Sequence, residues 1–248
     1  AFHLHTVRER RSPVAVRDRE GRDLLPLVRD ADDQYARPFR RKLLQGLTEP
    51  GWMEIELGLS ERPERLRLFL TGWIYPTDTT INTALAENPG MSGPEPPSIS
   101  LPNADGAFET AIPFMGFPGG KTKTIVVDLT EVWREGIDRL RIETSQELYW
   151  DEIFFSTETE EAPITVQPVE LLSAELGYRG TSAAIPHPQE GPERYDYHRV
   201  DPLPKWPTML GAFTRYGDVR DLLLTEDDRQ VVMGRGDEEA LRFQATPS

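Results

Sequence analysis

"RLRLFLTGWI", residues 65–74, sets Leu66, Leu68 and Leu70 on one side and Phe69, Thr71 and Trp73 on the other. Successive strand side chains point to opposite faces, so a period of two with both faces partly covered reads as a central β-strand. Outward from it the same period recurs. "WMEIELG" at 52–58 sets Met53, Ile55 and Leu57 against Trp52, Glu54 and Glu56, and "TIVVDLT" at 124–130 is β-branched and alternating. "DRLRIET" at 138–144, the aromatic "ELYWDEIFFS" at 147–156 and "ITVQPVELL" at 164–172 complete the predicted strands. Long helical periodicity is absent. One short helix is predicted at "GDVRDLLL" with Asp218 as its N-cap, and another near 130–135. The expectation is an all-β fold, a β-sandwich with a loop-rich C-terminal extension that holds one short helix.

A boundary is placed near residue 160, giving a sandwich over 1–160 and an extension over 161–248. Two stretches read as loops, "ENPGMSGPEPP" at 87–97 and the long run 177–207. The short strands "RQVVMG" and "EALRF" have too few partners of their own, so the extension is expected to pack on the sandwich, with Tyr195, Tyr197 and Trp206 pinning the long loop. Truncation at Glu160 is then expected to expose apolar sheet. A faint echo between "RDLLPLVRDADDQYA" at 22–36 and "RDLLLTEDDRQVV" at 220–232 leaves a second reading open, that the extension is the start of a truncated second module.

The bulk numbers narrow the function. The chain has 248 residues with 42 acidic against 28 basic side chains, a formal charge of −14. Such a surface repels phosphate backbones and anionic membranes, so nucleic acid is not an expected partner. No apolar run approaches the roughly 18 residues that span a bilayer, so membrane insertion is not expected. The opening "AFHLHTVRERRS" lacks an initiator Met and reads as a piece of something longer, so the missing signal peptide says nothing of location. With no cysteine, disulfides and thiolate chemistry are excluded. The glycine pair in Gly119-Gly120-Lys121-Thr122 invites comparison with a phosphate loop, but Met115 stands where that loop needs its first glycine, and a strand rather than a helix follows.

The phrases "GFPGGKTKTIVVDLT", "LFLTGWIYPTDTTINTAL", "RLRIETSQELYWDEIFF", "YDYHRVDP" and "FTRYGDVRDLL" resemble the region that follows the repeats in large bacterial FG-GAP / ASPIC–UnbV proteins, relatives of cartilage acidic protein. The resemblance implies an extracytoplasmic protein (periplasmic, secreted or at the cell surface) built of repeats and adhesive or ligand-binding modules. The Asp-rich calcium loops of those repeats do not occur in this chain, so calcium is not carried over. The strand pattern also resembles a galactose-binding-like jelly roll, a likeness of fold rather than of site.

Candidate sites follow from residue chemistry. His3, His5, His187 and His198 have no nucleophile beside them in any recognisable motif, and Asp151 and Glu152, as strand neighbours, point to opposite faces and cannot flank one bond. Asp30, Asp32 and Asp33 offer hard oxygen ligands for a structural calcium, or form an acidic turn. No other cofactor is expected. Trp73, Tyr75, Tyr149 and Trp150, with Asp78 and Asn82 nearby in sequence, supply the aromatic faces and polar groups that sugar recognition uses. The competing reading makes the tryptophans core residues. The expectation is a non-catalytic ligand-binding module, carbohydrate its foremost ligand. The alternative is a structural or protein-interaction module packing on the parent protein's own repeats, and a hydrolase stands third.

Overall fold

The computed structural model describes residues 5–187, 191–203 and 210–245. In chain order the elements are β1 (His5–Val7), β2 (Ala15–Asp18), β3 (Leu47–Glu56), β4 (Arg67–Ile74), α1 (Thr79–Glu87), β5 (Ser98–Pro102), β6 (Phe108–Ile112) and β7 (Lys123–Asp128). Next come β8 (Arg139–Gln146), β9 (Leu148–Ser156), β10 (Thr159–Glu161), β11 (Leu171–Tyr178), β12 (Thr181–Ile185), β13 (Arg194–Asp201), β14 (Gly217–Asp218), α2 (Arg220–Leu223) and β15 (Asp237–Phe243). The fold is an all-β sandwich with little helix.

The chain divides into two compact units, one of Ala1–Ala162 with Pro188–Pro192 and one of Pro163–His187 with Glu193–Ser248. The first holds a five-stranded sheet in the order β2-β3-β8-β5-β6 and a three-stranded sheet in the order β7-β4-β9, with a small β1-β10 pair besides. Register explains why the alternating sequences commit to these faces. Val16, Ile55 and Leu140 lie in one cross-strand row, and Met53, Ile142 and Ile99 in the next. On the smaller sheet Val127, Leu68 and Phe155 form one row and Ile125, Leu70 and Ile153 another. Nearly all of these are buried in a single apolar cluster, with Ile125 partly buried against it, and slipping any strand by one residue would turn its apolar set to water. Leu66, Leu129 and the large Trp133 are buried in the same cluster.

β4 is central, as its two-faced pattern predicts, lying between β7 and β9. Its Gly72 faces Trp150 where the β4–β9 register slips, and Asp151 is the extra residue of that bulge. No other residue type fits at Gly72, since a Cβ there would lie 2.1 Å from the Tyr149 carbonyl oxygen.

Several local expectations are corrected. Residues 163–170 are irregular and the strand begins only at Leu171, because Pro168 interrupts the donor series of "ITVQPVELL". The stretch 229–234 is not a strand, while "EALRF" does pair, in β15. The long run 177–207 contains β12 and β13, which form a hairpin. Residues 130–135 make a turn rather than a helix. The cap of α2 is Val219, although Asp218 Oδ1 still accepts the Arg220 N–H at 2.9 Å. Unpredicted α1 is capped by Asp78, whose carboxylate accepts the Ile81 N–H at 2.8 Å.

The second unit carries its own sheet, β14-β11-β15, with a small cluster of Ala174, Leu176 and Val219 beneath it. The two echoed segments differ in topology. On either side of the first, β2 and β3 pair directly with each other; around the second, β14 and β15 flank β11 without touching each other.

Candidate functional site

The predicted aromatic residues separate by face. Trp150 points between the sheets and is fully buried in the main core. Trp73 and Tyr149 point the other way and stack at 4.6 Å between ring centroids, with Tyr35 and Tyr75 meeting Trp73 edge-on at 6.2 and 5.8 Å. The cluster is closed. Trp73 is 6% exposed and Tyr149 4%, and only Tyr75 is partly open. A flat aromatic platform is therefore not what Trp73, Tyr149 and Trp150 present, because burying some 150–250 Å² of ring surface here outweighs leaving it in water. Asp78 is spent on capping α1, and Asn82 is exposed within that helix.

The aspartates are also engaged. Asp32 accepts the Gln34 N–H and side-chain amide at 3.0 and 2.8 Å, and Asp33 accepts the Tyr35 hydroxyl at 3.1 Å. Asp30 is exposed in the same turn, and Asp33 holds the left-handed conformation that Asp tolerates. Burial, with the Asp33 carboxylate adding to it, pushes the Tyr35 hydroxyl up to about 12. Among the described residues no three acidic or imidazole side chains are grouped to hold a metal ion. The turn instead docks on the sheet through the Asp32 N–H, which donates to Asp151 Oδ1 at 3.1 Å.

The glycine pair feeds β7, not a helix, and Met115 is buried in the core, so the requirements of a phosphate loop fail in space as they do in sequence. Tyr195 and Tyr197 lie on β13 and are 40% and 53% exposed. Trp206 and His3 lie outside the described residues.

What the sequence does not announce is a cleft of about 450 Å³ walled by Glu20, Arg22, Arg37, Phe39, Arg40, Arg41, Glu147, Leu148 and Tyr149. Its lining carries four guanidiniums and two carboxylates in a chain of formal charge −14. Backbone pairing builds it. Ala36 and Trp150 exchange N–H···O bonds of 2.7 and 3.1 Å, and the Glu49 N–H donates to the Arg40 carbonyl at 2.8 Å. The segment 36–41 is thus held against β9 and β3, with Phe39 as its buried tether.

Two of the arginines, Arg22 and Arg41, are braced from behind by buried carboxylates. Arg22 pairs with Asp18, which is wholly buried and also accepts the Glu20 and Arg22 backbone N–H groups. Arg41 Nε lies 2.7 Å from Oε1 of Glu147, a carboxylate only 3% exposed. The same Glu147 accepts the Tyr149 hydroxyl and, at 3.2 Å, the Gly46 N–H. Burial and the adjacent Glu147 charge push the Tyr149 hydroxyl far above its ordinary value, so it stays a proton donor. Gly46 has φ +76° and a Cβ there would strike Thr77 N at 2.4 Å, so only glycine lets the backbone approach Glu147 this way. Arg40 approaches Glu49 at 3.8 Å, and Arg37 lies over the Tyr149 ring at 5.8 Å. Of the predicted ligand-binding residues, Tyr149 is the one that lines the cleft.

No family model, curated protein or solved structure matches this chain.

Proposed function

We propose that this protein is a non-catalytic ligand-binding module whose site is the arginine cleft, with carbohydrate as its ligand. The observation that carries this reading is the cleft itself: framed by backbone pairing, of a volume typical of small-ligand sites, and rich in polar side chains beside an aromatic edge. Braced guanidiniums lose less freedom on binding than mobile ones, which favours affinity. Catalysis is left out because the one buried carboxylate at the cleft, Glu147, is committed to Arg41, Tyr149 and Gly46 rather than poised over an open position. Following the resemblance, the module serves a larger extracytoplasmic repeat protein.

The test is a glycan array probed with the 248-residue chain, followed by calorimetry on each hit. Saccharide binding weakened at least tenfold by the double variant Arg37→Gln/Arg40→Gln supports the reading. Absence of any saccharide binding, or binding indifferent to these substitutions, removes it.

A second reading has its own observation. Leu172, Tyr178, Leu241 and Phe243, on β11 and β15, are each 44% to 52% exposed. Exposed apolar side chains grouped on one small sheet suit a module that packs against other domains of its parent protein. Co-purification with those domains, lost on Leu241→Glu, would favour it.

A further inference from the structure

Within that carbohydrate reading, we infer that the cleft selects a saccharide carrying a carboxylate, a uronic-acid sugar. The reasoning is an inventory of donors and acceptors. Each guanidinium presents five N–H donors and no acceptor, and four of them line the cleft. The lining has little to accept with. Glu147 is buried with its oxygens already receiving from Arg41, Tyr149 and Gly46, which leaves the exposed Glu20 as the other side-chain carboxylate in the lining. The Tyr149 hydroxyl donates to Glu147. The side chains of Phe39 and Leu148 are apolar.

A neutral sugar offers hydroxyls that donate as well as accept, and their donors would find few partners here. A carboxylate accepts only, and its geometry matches the planar fork of arginine, which binds it through two parallel N–H···O bonds. The cleft already holds one carboxylate against an arginine, since the Arg41 Nε contact fixes Glu147, which also accepts the Tyr149 hydroxyl. Charge sets the upper limit on the ligand. The chain as a whole carries −14, so a densely sulfated or phosphorylated polymer is repelled before it reaches the cleft, whereas one carboxylate in a largely neutral glycan meets mainly the local arginines.

Arg37 and Arg40 are the residues to test. Arg22 and Arg41 brace the buried Asp18 and Glu147, so replacing them would disturb the fold as well as the site. The experiment titrates the whole chain calorimetrically with a galacturonic acid trisaccharide, its carboxyl-reduced galactose counterpart, a sulfated galactose trisaccharide and a Glu-rich peptide. The acid sugar is expected to bind at least tenfold more tightly than its reduced form. Arg37→Gln/Arg40→Gln should erase that difference, and Arg40→Lys, which keeps the charge and loses the fork, should recover only part of it. Melting temperatures of the variants are expected to match the parent. Equal affinity for acid and reduced sugars overturns the carboxylate inference while sugar binding stands. Tighter binding of the sulfated sugar overturns it too. Binding of the peptide alone, or of nothing, removes both this inference and the carbohydrate reading.

Discussion

Asp151 is a carboxylate that the fold tolerates rather than needs. It is 3% exposed, sits at the bulge of β9, and accepts the Asp32 N–H. Burial raises its pKa above the ordinary carboxylate value, and the nearby charges of Asp33 and Asp32 add to the rise. The folded state therefore holds this proton more tightly than the unfolded chain does. Its contribution to stability is fully present below the unfolded carboxylate range of about 4 and is lost as pH rises through the folded pKa. Asp151→Asn keeps the acceptor and removes the charge, so it should melt higher than the parent at pH 7, with the advantage shrinking as pH falls through the folded pKa and gone below about 4. Thermal melts of both proteins across that range decide the matter, and an advantage that is flat or grows toward acid would refute the assignment. The sequence places Asp151 beside Glu152 on a strand, and the expectation that neighbours face opposite ways needs one amendment. A bulge separates Trp150 from Glu152, and bulges leave no mark in a period-two pattern.

At the scale of elements, the β4–β9 pairing is the most exacting contact in the sandwich. Gly72 lets Trp150 cross beneath β4, and a Cβ would meet Trp150 Cε3 at 2.8 Å besides the Tyr149 carbonyl oxygen at 2.1 Å. Gly72→Ala should cost about 1–3 kcal/mol by overpacking, read as a fall in the urea midpoint. Gly93→Ala, where no atom lies within 4 Å, is the control and should stay within about 0.5 kcal/mol. An undisturbed Gly72→Ala would mean the bulge can shift. The strands of this region were legible because β4, β8 and β9 alternate over eight or nine residues each. β5 and β6 run only five residues apiece, too short for the period to stand out. α1 carries a weak sequence signal, Asp78 before Thr79-Thr80 with Ile81, Ala84 and Leu85 at helical spacing, too short for the helical period to stand out. The cleft was not legible at all. Its residues come from 20–22, 37–41 and 147–149, segments far apart in sequence that long-range contacts such as the Ala36–Trp150 bridge, the Arg41–Glu147 ion pair and the Arg22 bond to the Arg37 carbonyl bring together. In sequence its arginines are indistinguishable from the rest of an arginine-rich chain.

For the whole molecule, the question is which part can stand alone. Every buried residue of the main cluster lies between Val16 and Phe155, and the β1–β10 pairing is complete by Glu161. The first unit thus contains its own core. The second unit buries Ala174, Leu176 and Val219, with Leu171, Leu222 and Val231 partly covered beside them. Three small or medium side chains under a three-stranded sheet remove too little apolar area to offset the ordering of some eighty residues at about 1–2 kcal/mol each. A fragment ending at Ala162 should therefore be soluble and melt in one cooperative transition. It should also keep whatever the cleft binds, since every lining residue lies at or before Tyr149. A fragment beginning at Pro163 should show no cooperative melt of its own. Circular dichroism melts and the same sugar titrations on both fragments would check this. Aggregation of the first fragment, or a sharp independent transition in the second, would reverse the division of stability drawn here and make the C-terminal unit the support on which the sandwich depends.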